Sequence, residues 1–575
     1  ANTLAIAAGS NVGSGTAGVT FGATTLTGNA TFNTGSGSLL TLAAMGGAFN
    51  VTKTGSGTLA LSAGSSYTGT TTIAAGVLRT TAANAITAGN DVVFSGSSTL
   101  DLQQNQTLGN LVINSAAAGA AVTNSTATSR TLAIDTLTVN DNATVGGTSL
   151  SLTQSTNVGT DTWSIAAGKT LALSSTAAFA SAASRGAYVN IANSGTINSA
   201  IATTNGIVGG GWLTYGAVGS NNDWATVASG TLVALGTGGS SYDTIASPGT
   251  NRNVLADTSG SVASGTWNSI KVTAATSGQS LTISSGTLAL AAGGIIFTGS
   301  NDYAINGSTL TSKQGATNSD LIVYQNGSGN LTIGSTIGNG NGAQTLTKFG
   351  SGKLTLGGSI AYTGATYLSG GTLAYTADNA NVKAIQYGLF QGDTTPSTLD
   401  IQSNVTATGL TVSVVGSGTS GLNIASGKTF TVAGNVQIGG IGGTFTSGST
   451  PFVAQGSGTF AMNSTGGSFT VSGGATNANA IADFSSLGSM VINTGTTGVG
   501  NVQIAANGGN LQTNDVLYLA SLTSLTTPTL NIGNSVGGGS AMLYLGTGTN
   551  TINANTINIV QTPGGSVRTS VGVMT

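Results

Sequence analysis

The chain is 575 residues long, with a net charge of −2 and only 5% of its residues charged, against about 25% in an ordinary globular protein. It contains no Cys, no His and no Glu, so all 15 acidic residues are Asp. Disulfide stapling, Cys/His metal sites and His-dependent nucleophilic triads are thereby excluded.

The mean hydropathy of +0.25, with Leu, Ile and Val recurring throughout, places the chain among folded rather than disordered sequences. Few Lys, Arg and Met leave long helices without their usual surface residues. Thr, Val and Ile favour strands. No run of 18 apolar residues occurs, so no transmembrane helix is expected. The 13 basic residues are scattered from Lys53 to Arg568, which leaves no nucleic-acid footprint. The first residue, Ala1, suits a mature terminus left after an export signal is removed.

In chain order, residues 3–7 (T-L-A-I-A) read as a first rung of strand. T-K-T-G-S-G-T-L-A-L follows at 52–61, then Tyr67-Thr68-Gly69, T-I-A-A-G-V-L-R at 72–79 and S-T-L-D-L-Q-Q-N-Q-T at 98–107. S-I-A-A-G-K-T-L-A-L stands at 164–173, L-T-I-S-S-G-T-L-A-L at 281–290 and N-I-A-S-G-K-T-F-T-V at 423–432. Alternation puts Leu171 and Leu173, or Leu288 and Leu290, on one face. The Gly of each small-small-Gly corner is where the chain turns, because only Gly takes positive φ freely. The long unit returns as T-K-F-G-S-G-K-L-T-L at 347–356, Tyr362-Thr363-Gly364 and S-T-L-D-I-Q-S-N-V-T at 397–406. The offset is 295 between Lys53 and Lys348 and 299 between Ser98 and Ser397. A four-residue loop insertion accounts for the difference and leaves the core register intact. T-I-N-A-N-T-I-N-I-V at 551–560 still reads as a rung.

This order of elements resembles the autotransporter-associated β-strand repeat, in two copies at about 50–113 and 345–410. The segments 207–215 with 223–226, and 286–299, are similar to stretches that accompany it. The resemblance implies a parallel β-helix, export, and a secreted, extracellular or cell-surface location in a bacterium. Autotransporters also carry a C-terminal membrane β-barrel, of which there is no sign before Thr575. The barrel is cleaved or omitted, or export proceeds without one.

The expected fold is therefore all-β: one right-handed parallel β-helix, a single elongated rod over 1–575, with a Trp-containing segment at 163–267 inside it. Leu, Val, Ile and Ala point inward, and Thr, Ser and Asn outward. Coils of about 20–25 residues would give roughly 25 rungs and about 120 Å. Like charges on neighbouring rungs repel, which accounts for the scarcity of charge. No cap is evident at either end. Either the natural chain continues, or copies dock on the exposed rungs, and head-to-tail docking generates filaments.

Catalytic strings are by-products of abundant Gly. G-x-G-x-x-G at 13–18 and 416–421 is followed by no helix, so it makes no cofactor site. A-G-K-T (167–170) and S-G-K-T (426–429) lack the opening Gly of a phosphate loop. Ser535 in G-N-S-V-G has no His base. Asp101 and Asp400 read as lone, solvated, outward positions, and no calcium-loop spacing occurs. No catalytic residue, cofactor or metal is assigned. All four Trp lie between Trp163 and Trp267. Trp212, Tyr215, Trp224 and Tyr242 are candidate glycan or interface aromatics if exposed, and plugs of a wide coil if not. The leading expectation is a structural protein that polymerises through its ends or sides into a fibre or surface layer; the alternative is a monomeric adhesin binding glycans or host surfaces, and the third reading a polysaccharide-processing β-helix enzyme.

Overall fold

The structure is a computed structural model. It describes residues 4–7, 11–14, 18–147, 150–154, 159–173, 177–179, 187–192, 195–199, 201–217, 222–237, 242–314, 318–389, 395–414, 420–439, 451–472, 480–504, 514–533 and 540–559. Among these there are 55 strands and no helix, hence no helix long and apolar enough to cross a membrane. Alternation decides the faces: in Ala30–Thr34 the buried positions are Ala30, Phe32 and Thr34. Successive strands pair in parallel, coil upon coil, which is a parallel β-helix.

The strands gather into two compact units. Unit 1 is Ala1–Asn157 with Asp161–Ser241, and unit 2 is Val158–Thr160 with Tyr242–Thr575. In unit 1 one inward column runs Phe32, Lys53, Ile73, Phe94, Ile113, Val139 and Ile165. A second runs Leu40, Leu59, Leu78, Leu100, Val122, Val145 and Leu173. Leu213–Tyr215 still pairs in parallel with Ala187–Ile191, and beyond it the direction reverses. There Leu213–Tyr215 pairs antiparallel with Asp223–Ala228, and that strand pairs antiparallel with Thr231–Ala234. Asn198 then pairs with Thr231, so the strand Asp223–Ala228 draws the two stacks together at the end of unit 1.

In unit 2 an inward column runs Val254, Ile270, Ile295, Val323, Lys348, Leu368, Tyr387, Val412, Ile438, Val471 and Ile504. Towards its C-terminal part the interior is aromatic: Phe484 packs against Phe452, Phe460 and Phe469 at centroid distances of 5.2–6.2 Å. This apolar interior drives folding, and the ladders satisfy the backbone groups it buries.

The corners follow the expected chemistry. Gly76, Gly168, Gly286 and Gly427, one in each small-small-Gly corner, have φ of 68°, 72°, 64° and 70°. Asn and Asp side chains supply acceptors where the strands stop. Asn29 Oδ1 accepts from the Asn50 N–H and Asn50 Oδ1 from the Thr70 N–H, one coil further each time. Asp378, Asn404 and Thr429 repeat the device in unit 2. Each such bond stabilises by about 0.5–1.5 kcal/mol.

Candidate functional site

The two repeat copies share several contacts at equivalent positions. Tyr67 is buried and its hydroxyl lies 2.5 Å from Thr71 Oγ1; Tyr362 sits likewise, 2.6 Å from Thr366 Oγ1. The glycine that closes each Tyr-Thr-Gly admits the coil below. A Cβ on Gly69 would lie 2.2 Å from the Phe49 carbonyl oxygen, and one on Gly364 2.4 Å from that of Gln344.

The strand Val51–Thr54 turns Val51 and Lys53 inward, and both are buried. The Lys53 ammonium donates to the carbonyls of Thr54 (2.8 Å), Gly55 (2.7 Å) and Ala75 (3.0 Å). In the strand Ala343–Phe349, Lys348 is equally buried and donates to Gly350 and to Gly370 (2.7 Å). These interior lysines depart from the expected inward set of apolar residues. Their signal was present in the sequence, since Val51 and Lys53 share one phase of the alternation.

Asp101 and Asp400 point outward as expected, but they are not solvated. Asp101 is 3% exposed, paired with Arg79 at 2.8 Å and accepting from the Ser125 hydroxyl at 2.8 Å. Asp400 is 7% exposed, paired with Lys353 at 3.1 Å and accepting from Asn423 at 2.8 Å. Scarcity of charge does not imply isolation: a carboxylate beside the coil's other polar groups collects them. The A-G-K-T lysine, Lys169, pairs with Asp141 at 2.7 Å, which holds that carboxyl below its usual range. Among the described residues no three acidic groups gather where they could hold a metal ion. Ser535 and most of 416–421 lie outside the described residues.

The candidate aromatics divide. Trp212 and Trp224 are enclosed, and a Cβ on Gly209 would lie 2.8 Å from the Trp212 ring. Tyr215 and Tyr242 are half-buried. Lys271 lies 6.0 Å from the centre of the Tyr242 ring.

A regular outward row belongs to unit 2. Gln386, Thr411, Gln437, Thr470, Gln503, Asn531 and Asn558 are register partners in successive coils. They form one uncharged row of amides and hydroxyls, half-buried except for the exposed Asn558. Asn558 donates to Asn531 Oδ1 at 2.9 Å. The rungs of such a row are about 4.8 Å apart.

Coils, corners and paired copies together make a repeat-bearing parallel β-helix, similar in two stretches to autotransporter passengers, in a secreted or cell-surface bacterial protein. Residues 51–79 and 346–374 match the family model described as Passenger-associated-transport-repeat. The chain is also similar to the "Adhesin BmaC autotransporter" of Brucella suis biovar 1 (strain 1330), 30% identical over 341 residues. That stretch is 56% of this chain and 9% of the relative, so the chain spans only a small part of the relative's length. No solved structure matches significantly.

Proposed function

We propose that the chain is a non-enzymatic β-helical segment of a surface adhesin, and that the row from Gln386 to Asn558 is its contact face for a neutral, hydroxyl-rich partner such as a glycan. The row carries this reading. Amides and hydroxyls both donate and accept, and an uncharged strip favours a partner without charge. Tyr215 and Tyr242, with partly open rings, are secondary candidates for stacking on sugars. The similarity to a protein named as an adhesin supports the same reading. The test is retention of the purified chain on immobilised neutral polysaccharides. Gln437→Lys with Gln503→Lys should abolish retention; retention equal to that of the unsubstituted chain would refute the assignment of the row.

A second reading, self-association into a fibre or surface layer, draws support from the net charge of −2 and from exposed Leu522, Tyr544 and Leu545. Low charge opposes association little. Monodisperse single particles at high concentration, by sedimentation and electron microscopy, would rule it out.

A further inference from the structure

Lys53 and Lys348 each stand as the polar member of an otherwise apolar inward column. Among the described residues neither has a carboxylate partner. An unpaired ammonium in an apolar interior is costly, yet the arrangement occurs twice with two equivalent acceptors, to which Lys53 adds the Thr54 carbonyl. Those acceptors are backbone carbonyls of the lysine's own Gly-Ser-Gly corner and of the next coil, Ala75 in one copy and Gly370 in the other.

The space for the charge is also provided twice. Gly76 and Gly371, the corner glycines of the next coil, face the two ammonium groups. A Cβ would fall 2.9 Å from Lys53 Nζ in the first case and 2.6 Å from Lys348 Nζ in the second. The Lys and the later Gly of the repeat are thus one device: the missing side chain of one leaves room for the charge of the other.

We propose that each repeat corner is a built ammonium site, with backbone carbonyls as ligands and the chain's own lysine as occupant, and that it clasps the lysine's coil to the coil that follows. An ammonium offers three donors, and carbonyl oxygens accept them without placing a second charge in the interior. Because Ala75 and Gly370 belong to the following coil, the shell is complete only once that coil has docked. The lysine enters last and locks the pair.

A site of this kind accepts a free ammonium ion when its tether is cut. Lys53→Ala and Lys348→Ala are melted in matched ammonium, sodium and tetramethylammonium chlorides. Both variants should melt lower than the unsubstituted chain in sodium and recover about 2–4 °C in ammonium. Tetramethylammonium has no N–H donor and should restore nothing. Equal melting in all three salts overturns the proposal. Should the variants not fold, the unsubstituted chain is acetylated under native conditions and read by mass spectrometry. Lys53 and Lys348 should react more than about tenfold more slowly than exposed Lys313, since each must await local opening; equal rates overturn the proposal.

Discussion

Arg79 and Asp101 sit side by side in register on adjacent coils, with Nε 2.8 Å from Oδ2. The second copy preserves the carboxylate, Asp400, but has Ala374 as its register partner where the first has Arg79. The cation comes instead from Lys353, one coil further back, which reaches past Ala374 to Asp400. The pair is rewired rather than lost, because a buried carboxylate left alone carries the full cost of desolvation.

Both cations keep an open side, 35% of Arg79 and 40% of Lys353, so solvent screens each pair. Arg79→Ala and Lys353→Thr should each cost about 0.5–1 kcal/mol. Adding Ala374→Arg to Lys353→Thr should restore the loss, read as a denaturation midpoint and as amide exchange in the strand Ser397–Ile401. No recovery would mean that Asp400 does not need its cation.

Stability should pass through a maximum near pH 10. Burial lowers Lys53 to about 8 and Lys348 well below its usual value, while an unfolded lysine keeps its proton to about 10.4. From about pH 8 upward the unfolded chain therefore binds more protons, and stability rises with pH. Buried tyrosines act in the opposite sense. Tyr67 and Tyr375 are raised to about 12, and Tyr362 and Tyr387 well above the usual 10. Above about pH 10 the unfolded chain loses tyrosine protons that the folded chain keeps, and stability falls. Melting curves from pH 7 to 11 should show the rise, which Lys53→Met with Lys348→Met removes while the fall remains.

Two corner glycines with similar backbones separate conformational cost from contact. Gly427, with φ 70°, has nothing within 4 Å of an added Cβ, whereas Gly371, with φ 66°, would place one 2.5 Å from the Gly352 carbonyl oxygen. Gly427→Ala should cost about 1–2 kcal/mol, the left-handed term alone. Gly371→Ala should cost clearly more, and it should also expose Lys348 to amine labelling. Equal losses would show that the close approach relaxes freely.

Alternation and the small-small-Gly corners made the parallel coil legible, since each is a local property: an inward Leu171 and Leu173, or a turn at Gly168, depends on neighbours in sequence. The order of elements around Lys53 and Lys348 made the repeat legible as well. What stayed hidden depends on register between coils. That Lys53 lies between Phe32 and Ile73, that Lys353 answers for Ala374, and that Gln386 to Asn558 form a row all require knowing which residues stack. Trp212 and Trp224 were visible as a cluster. Plugs of a wide coil were already one of their two readings; the antiparallel pairing of Thr214 with Trp224 was not visible, because a reversal of strand direction leaves no mark on the alternation.

Adhesion through the uncharged row of unit 2 is tested most directly on cells. Bacteria displaying the chain are compared with bacteria displaying the Gln437→Lys, Gln503→Lys form at equal surface density. Attachment to a surface coated with the retained polysaccharide should fall to the level of cells without the chain. Undiminished attachment by the substituted form would contradict the account.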